Sequence, residues 1–171
     1  IDKHPRPPSW KLSPWAVCTY LLGGKLDDGR EITAKYIGAR RLMEIAIATL
    51  ATDRALLLLG VPGTAKTWVS EHLGAAISGD STLLVQGTAG TTEDQIKYSW
   101  NYALLLAEGP TLRALVGGPM HEAMRAGMLC RFEEVTRVQP EIQDSLISLL
   151  SEKVLHVPEL DGEDATVFAQ R

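Results

Sequence analysis

The stretch LLLLGVPGTAKTWVSEHL, residues 56–73, constrains the fold of this chain more than any other. An apolar run at residues 55–59, bounded by Arg54 and Gly60, is too short for a helix and predicts a strand covered on both faces. Trp68, Val69, Leu73 and Ile77 then recur as the inner face of a helix packed on a sheet. Between them, Gly60, Val61, Pro62, Gly63, Thr64, Ala65, Lys66 and Thr67 form a glycine-containing passage from strand to helix. In that setting backbone N–H groups and the positive end of a helix can surround a polyphosphate. Lys66 would supply a point charge for the terminal phosphates, and the Thr67 hydroxyl a ligand for magnesium. Ala65 stands where most such loops have glycine; a negative φ is expected so close to a helix start, and a methyl group costs little there. Gly63 is the glycine expected to matter. The competing reading is an ordinary glycine turn with a chance lysine, and the ordered strand, glycine, Lys-Thr and helix weigh against it.

A phosphate loop needs a carboxylate shell for its metal and a group to activate water. The stretch MLCRFEEVTRVQPE, residues 128–141, supplies candidates for both at the end of a second apolar strand. Glu133 is expected to hold magnesium, through water, and Glu134 to polarise the attacking water. Alone, the pair would read as exposed acids at a strand end; the phosphate loop reverses that. Arg131 is out of place on an apolar strand, and whether it reaches Glu133 bears on competence for hydrolysis.

Around these motifs, strands alternate with helices, which predicts an α/β domain with a mostly parallel sheet. Residues 1–9, with three prolines, predict a disordered arm. Ser13-Pro14 and Gly23-Gly24 bracket a short helix, and LDDGRE is a turn. Thr33 can cap a second helix whose inner face is Tyr36, Ala39, Met43, Ala46 and Leu50, ending by Thr52 or Asp53. STLLVQG is a further strand. TTEDQIKYSWNYALLLAEG is expected to be one helix with Ile96, Trp100, Ala103, Leu104 and Ala107 as a core stripe, and Tyr98 and Tyr102 as packing residues with polar tips. Residues 109–127 form an insertion with a short helix at MHEAMRAG, and Pro140 opens a helix with Ile142, Leu146, Leu149 and Leu150 inward. VLHVP alternates like one arm of a hairpin.

At 171 residues, 45% hydrophobic and 22% charged, the chain is of ordinary globular composition and about one domain in size. Seventeen scattered basic against 21 acidic residues give a net charge of -4 and no basic patch, so neither nucleic acid nor an anionic membrane is an expected partner. Cys18 and Cys130 lie apart in apolar settings and are expected to be reduced, in the cytoplasm. No apolar run has the length of a membrane span. The four histidines share no metal-binding spacing, and HEAMR lacks the second histidine of a zinc-protease helix. The chain begins at Ile1 without an initiator methionine, as a piece of a longer protein would.

The phosphate loop, together with YIGARRLMEIAIATLATDRALLLLG before it and RFEEVTRVQPEIQDSLISLLSEK after it, resembles the MoxR family of AAA+ ATPases. The resemblance runs from about Thr33 to the end of the chain. It implies a three-layer α/β/α P-loop NTPase fold for residues 33–171, preceded at 1–32 by an arm and a short helix. It implies ATP and Mg2+ as ligands, with Ile37 and Gly38 against the adenine. Gly60 through Thr67, with Trp68, would line the nucleotide; Lys66 and Glu134 would be catalytic, and Thr67 and Glu133 the metal residues. Alanine before the loop lysine is a usual feature of that family, whereas Glu133 departs from its Asp-Glu pair. The resemblance further implies a hexameric ring, a von Willebrand factor A domain protein as partner, and a sensor strand, arginine finger and lid beyond Arg171. Thr166 to Arg171 would approach that sensor strand, and without it the fragment is expected to be unstable and inactive. Two functions follow as expectations: an ATPase that remodels or matures partner proteins, and, from Arg131, a nucleotide-dependent binding switch with little hydrolysis. A small-molecule kinase is disfavoured because it needs no carboxylate poised for water.

Overall fold

The computed structural model describes residues 2–26 and 28–170, so Asp27 in the LDDGRE turn and Arg171 lie outside the described residues. Two compact units are present, one up to Ser81 and one spanning Thr82–Gln170.

In the first unit, helix α1 (Pro14–Leu22) starts and stops where its capping residues dictate. Ser13 Oγ accepts from the Ala16 N–H at 3.1 Å, Pro14 occupies the first turn, and Gly23 ends the helix at φ 78°. Val17 and Leu21 are fully buried, and α1 packs on α2 (Arg40–Ala51) and α3 (Lys66–Ser78). A small hairpin pairs β1 (Gly24–Lys25) with β2 (Glu31–Ile32). The arm expected to be disordered is tied down: the Asp2 carboxylate accepts from Ser13 N–H at 2.7 Å and Ser13 Oγ at 2.9 Å, and His4 stacks on Trp15. Burial works to raise the Asp2 pKa, but the hydrogen bonds from Ser13 and His4 outweigh it and hold the carboxyl down at about 2.

Helix α2 begins at Arg40 instead of Thr33. The N–H groups of Lys35 and Tyr36 both donate to Leu21 O, at 2.8 and 3.0 Å, which draws the preceding segment out of a helix and onto the end of α1. The buried face is accordingly Met43, Ala46 and Ile47. Residues 55–59 pair with no strand among the described residues. Leu57 and Leu59 face solvent, Leu59 at 80% exposure, in place of the two-sided burial expected. A strand of that kind forms when a neighbour satisfies its N–H and C=O groups, and the strands described in the first unit are confined to the β1–β2 hairpin.

The second unit contains the parallel pairing expected of an α/β domain. Strand β3 (Leu84–Gln86) runs parallel to β6 (Arg131–Glu133), with Leu84 opposite Arg131, Val85 opposite Phe132 and Gln86 opposite Glu133. Val85, Ile96 and Leu146 form a core beneath this pair. The single helix expected after Thr92 is broken into α4 (Glu93–Ile96), β4 (Tyr98–Trp100) and α5 (Tyr102–Glu108). Tyr98, Ser99 and Trp100 pair antiparallel with β5 (Leu115–Gly117), and the side chain of Asn101 caps α5. The aromatic and β-forming residues thus take a partner that local periodicity does not reveal. Ile96 is core, but Ala103 and Ala107 are exposed and α5 buries nothing fully.

After α6 (Pro119–Ala126), β6 leads through a 3-10 turn (Val135–Arg137) to α7 (Pro140–Glu152). Leu146 and Leu149 point inward there, while Leu150 is exposed, contrary to expectation. Strand β7 (Val154–His156) pairs antiparallel with β8 (Thr166–Phe168). Within the stretch expected to approach a further strand, Thr166, Val167 and Phe168 are thus the return arm of a hairpin. A second core of Met124, Leu149, Leu155, Val157 and Leu160 lies under that hairpin. No helix among the described residues is long and apolar enough to cross a membrane.

Candidate functional site

The phosphate-loop residues all lie in the first unit. Gly63 has φ 82°, with open space around the position a Cβ would occupy, so the backbone conformation itself favours glycine there. Ala65 contradicts the sequence expectation: it sits at φ 58°, ψ 26°, in the left-handed region, as the N-cap of α3. Its methyl group is therefore strained, at a cost of about 1–2 kcal/mol. Ala65→Gly should stabilise the protein by about 0.5–1 kcal/mol, because relief of that strain exceeds the added entropy of an unfolded glycine. Urea denaturation checks this, and a lower midpoint would refute it.

Lys66 folds back over its own loop, its Nζ donating to Gly60 O at 2.9 Å and to Val61 O at 3.0 Å. Thr64 Oγ1 donates to Val61 O at 2.8 Å, and a Cβ on Gly60 would lie 2.9 Å from that Thr64 oxygen. The ammonium is thus held against the loop it would serve, by neutral carbonyls that an anion can outcompete. Lys66, Thr67 and Trp68 form the first turn of α3, where N–H groups have no i−4 acceptor within the helix. Upstream, Ile37 is 96% exposed, and a Cβ on Gly38 would collide with the Tyr36 side chain. Trp68 Nε1 donates to Lys35 O at 2.8 Å, which ties the segment before α2 to the first turn of α3.

The carboxylate pair lies in the second unit. Glu133 ends β6, and its carbonyl accepts from Gly87 N–H at 2.9 Å. A Cβ on Gly87 would come within 2.6 Å of Glu134 O, so the close approach of these backbones requires glycine. Glu134 has φ 54°, ψ 40°, a strained conformation for a non-glycine residue, and its side chain is exposed. Arg131 does reach Glu133: its guanidinium donates to Glu133 Oε1 at 3.2 Å, with the two side chains only 11% and 15% exposed. Next to it the Cys130 thiol is pushed up to about 12 by burial, partly offset by Arg131.

Each histidine has a side-chain partner: His4 with Asp2, His72 with Tyr20, His121 with Glu122 and His156 with Thr166. Tyr98 donates to Glu159 at 3.0 Å, whereas Tyr102 is exposed and does not pack. Sequence reasoning missed Lys35, Tyr20 and His72, whose ring contacts and hydrogen bonds surround Trp68; no spacing rule links residues from three separate segments.

The sequence profile of the AAA domain (dynein-related subfamily) matches residues 55–168, about two thirds of the chain, and covers both the phosphate loop and Glu133-Glu134. The chain belongs to the AAA domain family, in its dynein-related subfamily. It therefore has the α/β fold of a P-loop NTPase, and domains of its family generally act through ATP with magnesium and assemble into rings. The Escherichia coli (strain K12) protein named "Uncharacterized protein YehL" is 48% identical over 169 residues. That match takes in 99% of this AAA domain chain and 46% of the relative, so the chain spans about half the length of the curated protein it matches. No solved structure matches it.

Proposed function

We propose that the protein binds and hydrolyses ATP as a MoxR-like AAA+ ATPase, and uses the cycle to remodel or mature a partner protein in the cytoplasm. The observation that carries the reading is the first turn of α3, with Lys66 positioned on its own glycine loop inside the matched family region. Lys66 would exchange its two carbonyl contacts for phosphate oxygens, and Thr67 and Glu133 offer the hard oxygen donors that suit magnesium. Bound magnesium would neutralise charge between the phosphates. Glu134 would orient and polarise water, and Ile37 and Gly38 would receive the adenine. A hexameric ring and a von Willebrand factor A domain partner belong to the same proposal. Phosphate release from ATP and magnesium by the full-length protein tests it, run with and without a phosphate acceptor. Release that requires an acceptor would point to a kinase, and no release in either arm would refute hydrolysis.

The Arg131–Glu133 ion pair favours a second reading, a nucleotide-dependent switch with slow turnover. A guanidinium on the metal-shell carboxylate competes with the cation that the carboxylate would serve. Arg131→Leu, which restores an apolar strand, should lower the magnesium concentration for half-maximal turnover by about tenfold, the effect of removing roughly 1.4 kcal/mol of competition. Thermal unfolding of the same variant measures what the Arg131 contact contributes to holding Glu133. An unchanged magnesium dependence would exclude the competition.

A further inference from the structure

We propose that Trp68, Lys35, Tyr20 and His72 form a brace that positions the Ile37–Gly38 segment for the nucleoside part of ATP, making Trp68 a positioning residue for the base and not for the phosphates. This rests on the reading of ATP as the ligand and of Ile37 and Gly38 as its adenine contacts. The four residues make a closed circuit within the first unit. Trp68 Nε1–H donates to Lys35 O at 2.8 Å. Lys35 Nζ lies 4.2 Å from the centroid of the Tyr20 ring, over its face. The Tyr20 hydroxyl is 2.8 Å from His72 Nδ1. The His72 ring in turn meets Trp68 edge-on at 4.4 Å between centroids, one helical turn further along α3.

Trp68, His72 and Lys35 each have a reason to be read as positioning rather than as core. Trp68 is 51% exposed, so it is not a core side chain, and its hydrogen bond is directed at a backbone carbonyl outside any helix or strand. His72 Nε2 is buried without a hydrogen-bond partner, which leaves the Tyr20 contact to orient the ring. Lys35 and Tyr36 are pinned a second time through their N–H groups to Leu21 O. The chain leaves this pinned point and, two residues past Lys35, presents Ile37 to solvent. Residues 33–39 have no helix or strand of their own, so their placement depends on these bonds. Because Trp68 follows Lys66 and Thr67 directly, the brace sets the distance from base contact to phosphate contact within one rigid helical turn.

The test compares ATP with inorganic tripolyphosphate, which carries the phosphates without the base, by calorimetry on the full-length protein. Trp68→Phe keeps a ring against His72 and removes the N–H donor. It should weaken ATP binding roughly fivefold, the equivalent of one ordinary hydrogen bond, and leave tripolyphosphate unchanged. Ile37→Ala should also weaken ATP alone, and the double variant should lose less than the sum of the two, since Trp68 acts through the segment that carries Ile37. Equal loss for both ligands, full additivity, or no loss would overturn the brace. A wild-type protein that binds tripolyphosphate as tightly as ATP would overturn it by removing the base contact. One that binds neither would overturn the ATP reading with it.

Discussion

With Glu134 as the proposed base, Glu134→Gln should leave ATP bound and slow its hydrolysis by about 10² to 10⁴, the range that a positioned general base contributes. Glu134 leaves β6 at φ 54° and is exposed, while its carbonyl accepts from Arg137 N–H at 2.9 Å in the following turn. A non-glycine residue held in that conformation, at a cost of order 1–3 kcal/mol, needs a compensating reason, and directing a carboxylate out of the strand end is one. Glutamine keeps the length and the hydrogen-bonding reach of the side chain but cannot take a proton. The measurement is single-turnover phosphate release together with nucleotide retained after gel filtration. Intact turnover would remove Glu134 from the role of base and leave its backbone conformation as a feature of the turn alone.

Leu155→Ala should destabilise the second unit by about 2–5 kcal/mol, the cost of emptying a large site in a packed core. Leu155 is 1% exposed and packs in the cluster with Met124, Leu149, Val157 and Leu160, where strand β7, helix α7 and helix α6 share apolar surface. Leu106→Ala, on the solvent side of α5, is the control and should change stability by no more than about 0.5 kcal/mol. Urea denaturation of both variants checks the pair. A loss below about 1 kcal/mol for Leu155→Ala would mean that the β7–β8 hairpin is not cooperatively packed.

Features written in single residues were legible in the sequence. Ser13, Pro14 and Gly23 delimit α1 because capping and φ are local properties, and Pro119 and Gly127 delimit α6 in the same way. The phosphate-loop stretch and the acid pair could be picked out in the sequence because each is a run of neighbouring residues, and the family profile spans both. Failures came where a long-range hydrogen bond overrides periodicity. Leu21 O captures the donors of Lys35 and Tyr36, and β5 captures the residues at 98–100. The conformation of Ala65 was not legible for another reason: proximity to a helix start implies a negative φ, and this N-cap lies in the left-handed region instead. Arg131 could be flagged from its position on an apolar strand, but its contact with Glu133 depends on rotamers that sequence does not encode.

The apolar run at residues 55–59 also bears on how the protein behaves at high concentration. Leu57 and Leu59 meet water and the run's backbone has no strand alongside among the described residues, which is an arrangement that can template pairing between molecules. Association seeded there would begin from the native state, without global unfolding, and would accelerate with protein concentration more than with temperature. Colloidal behaviour and thermodynamic stability would then be separate properties of this chain, governed by different residues.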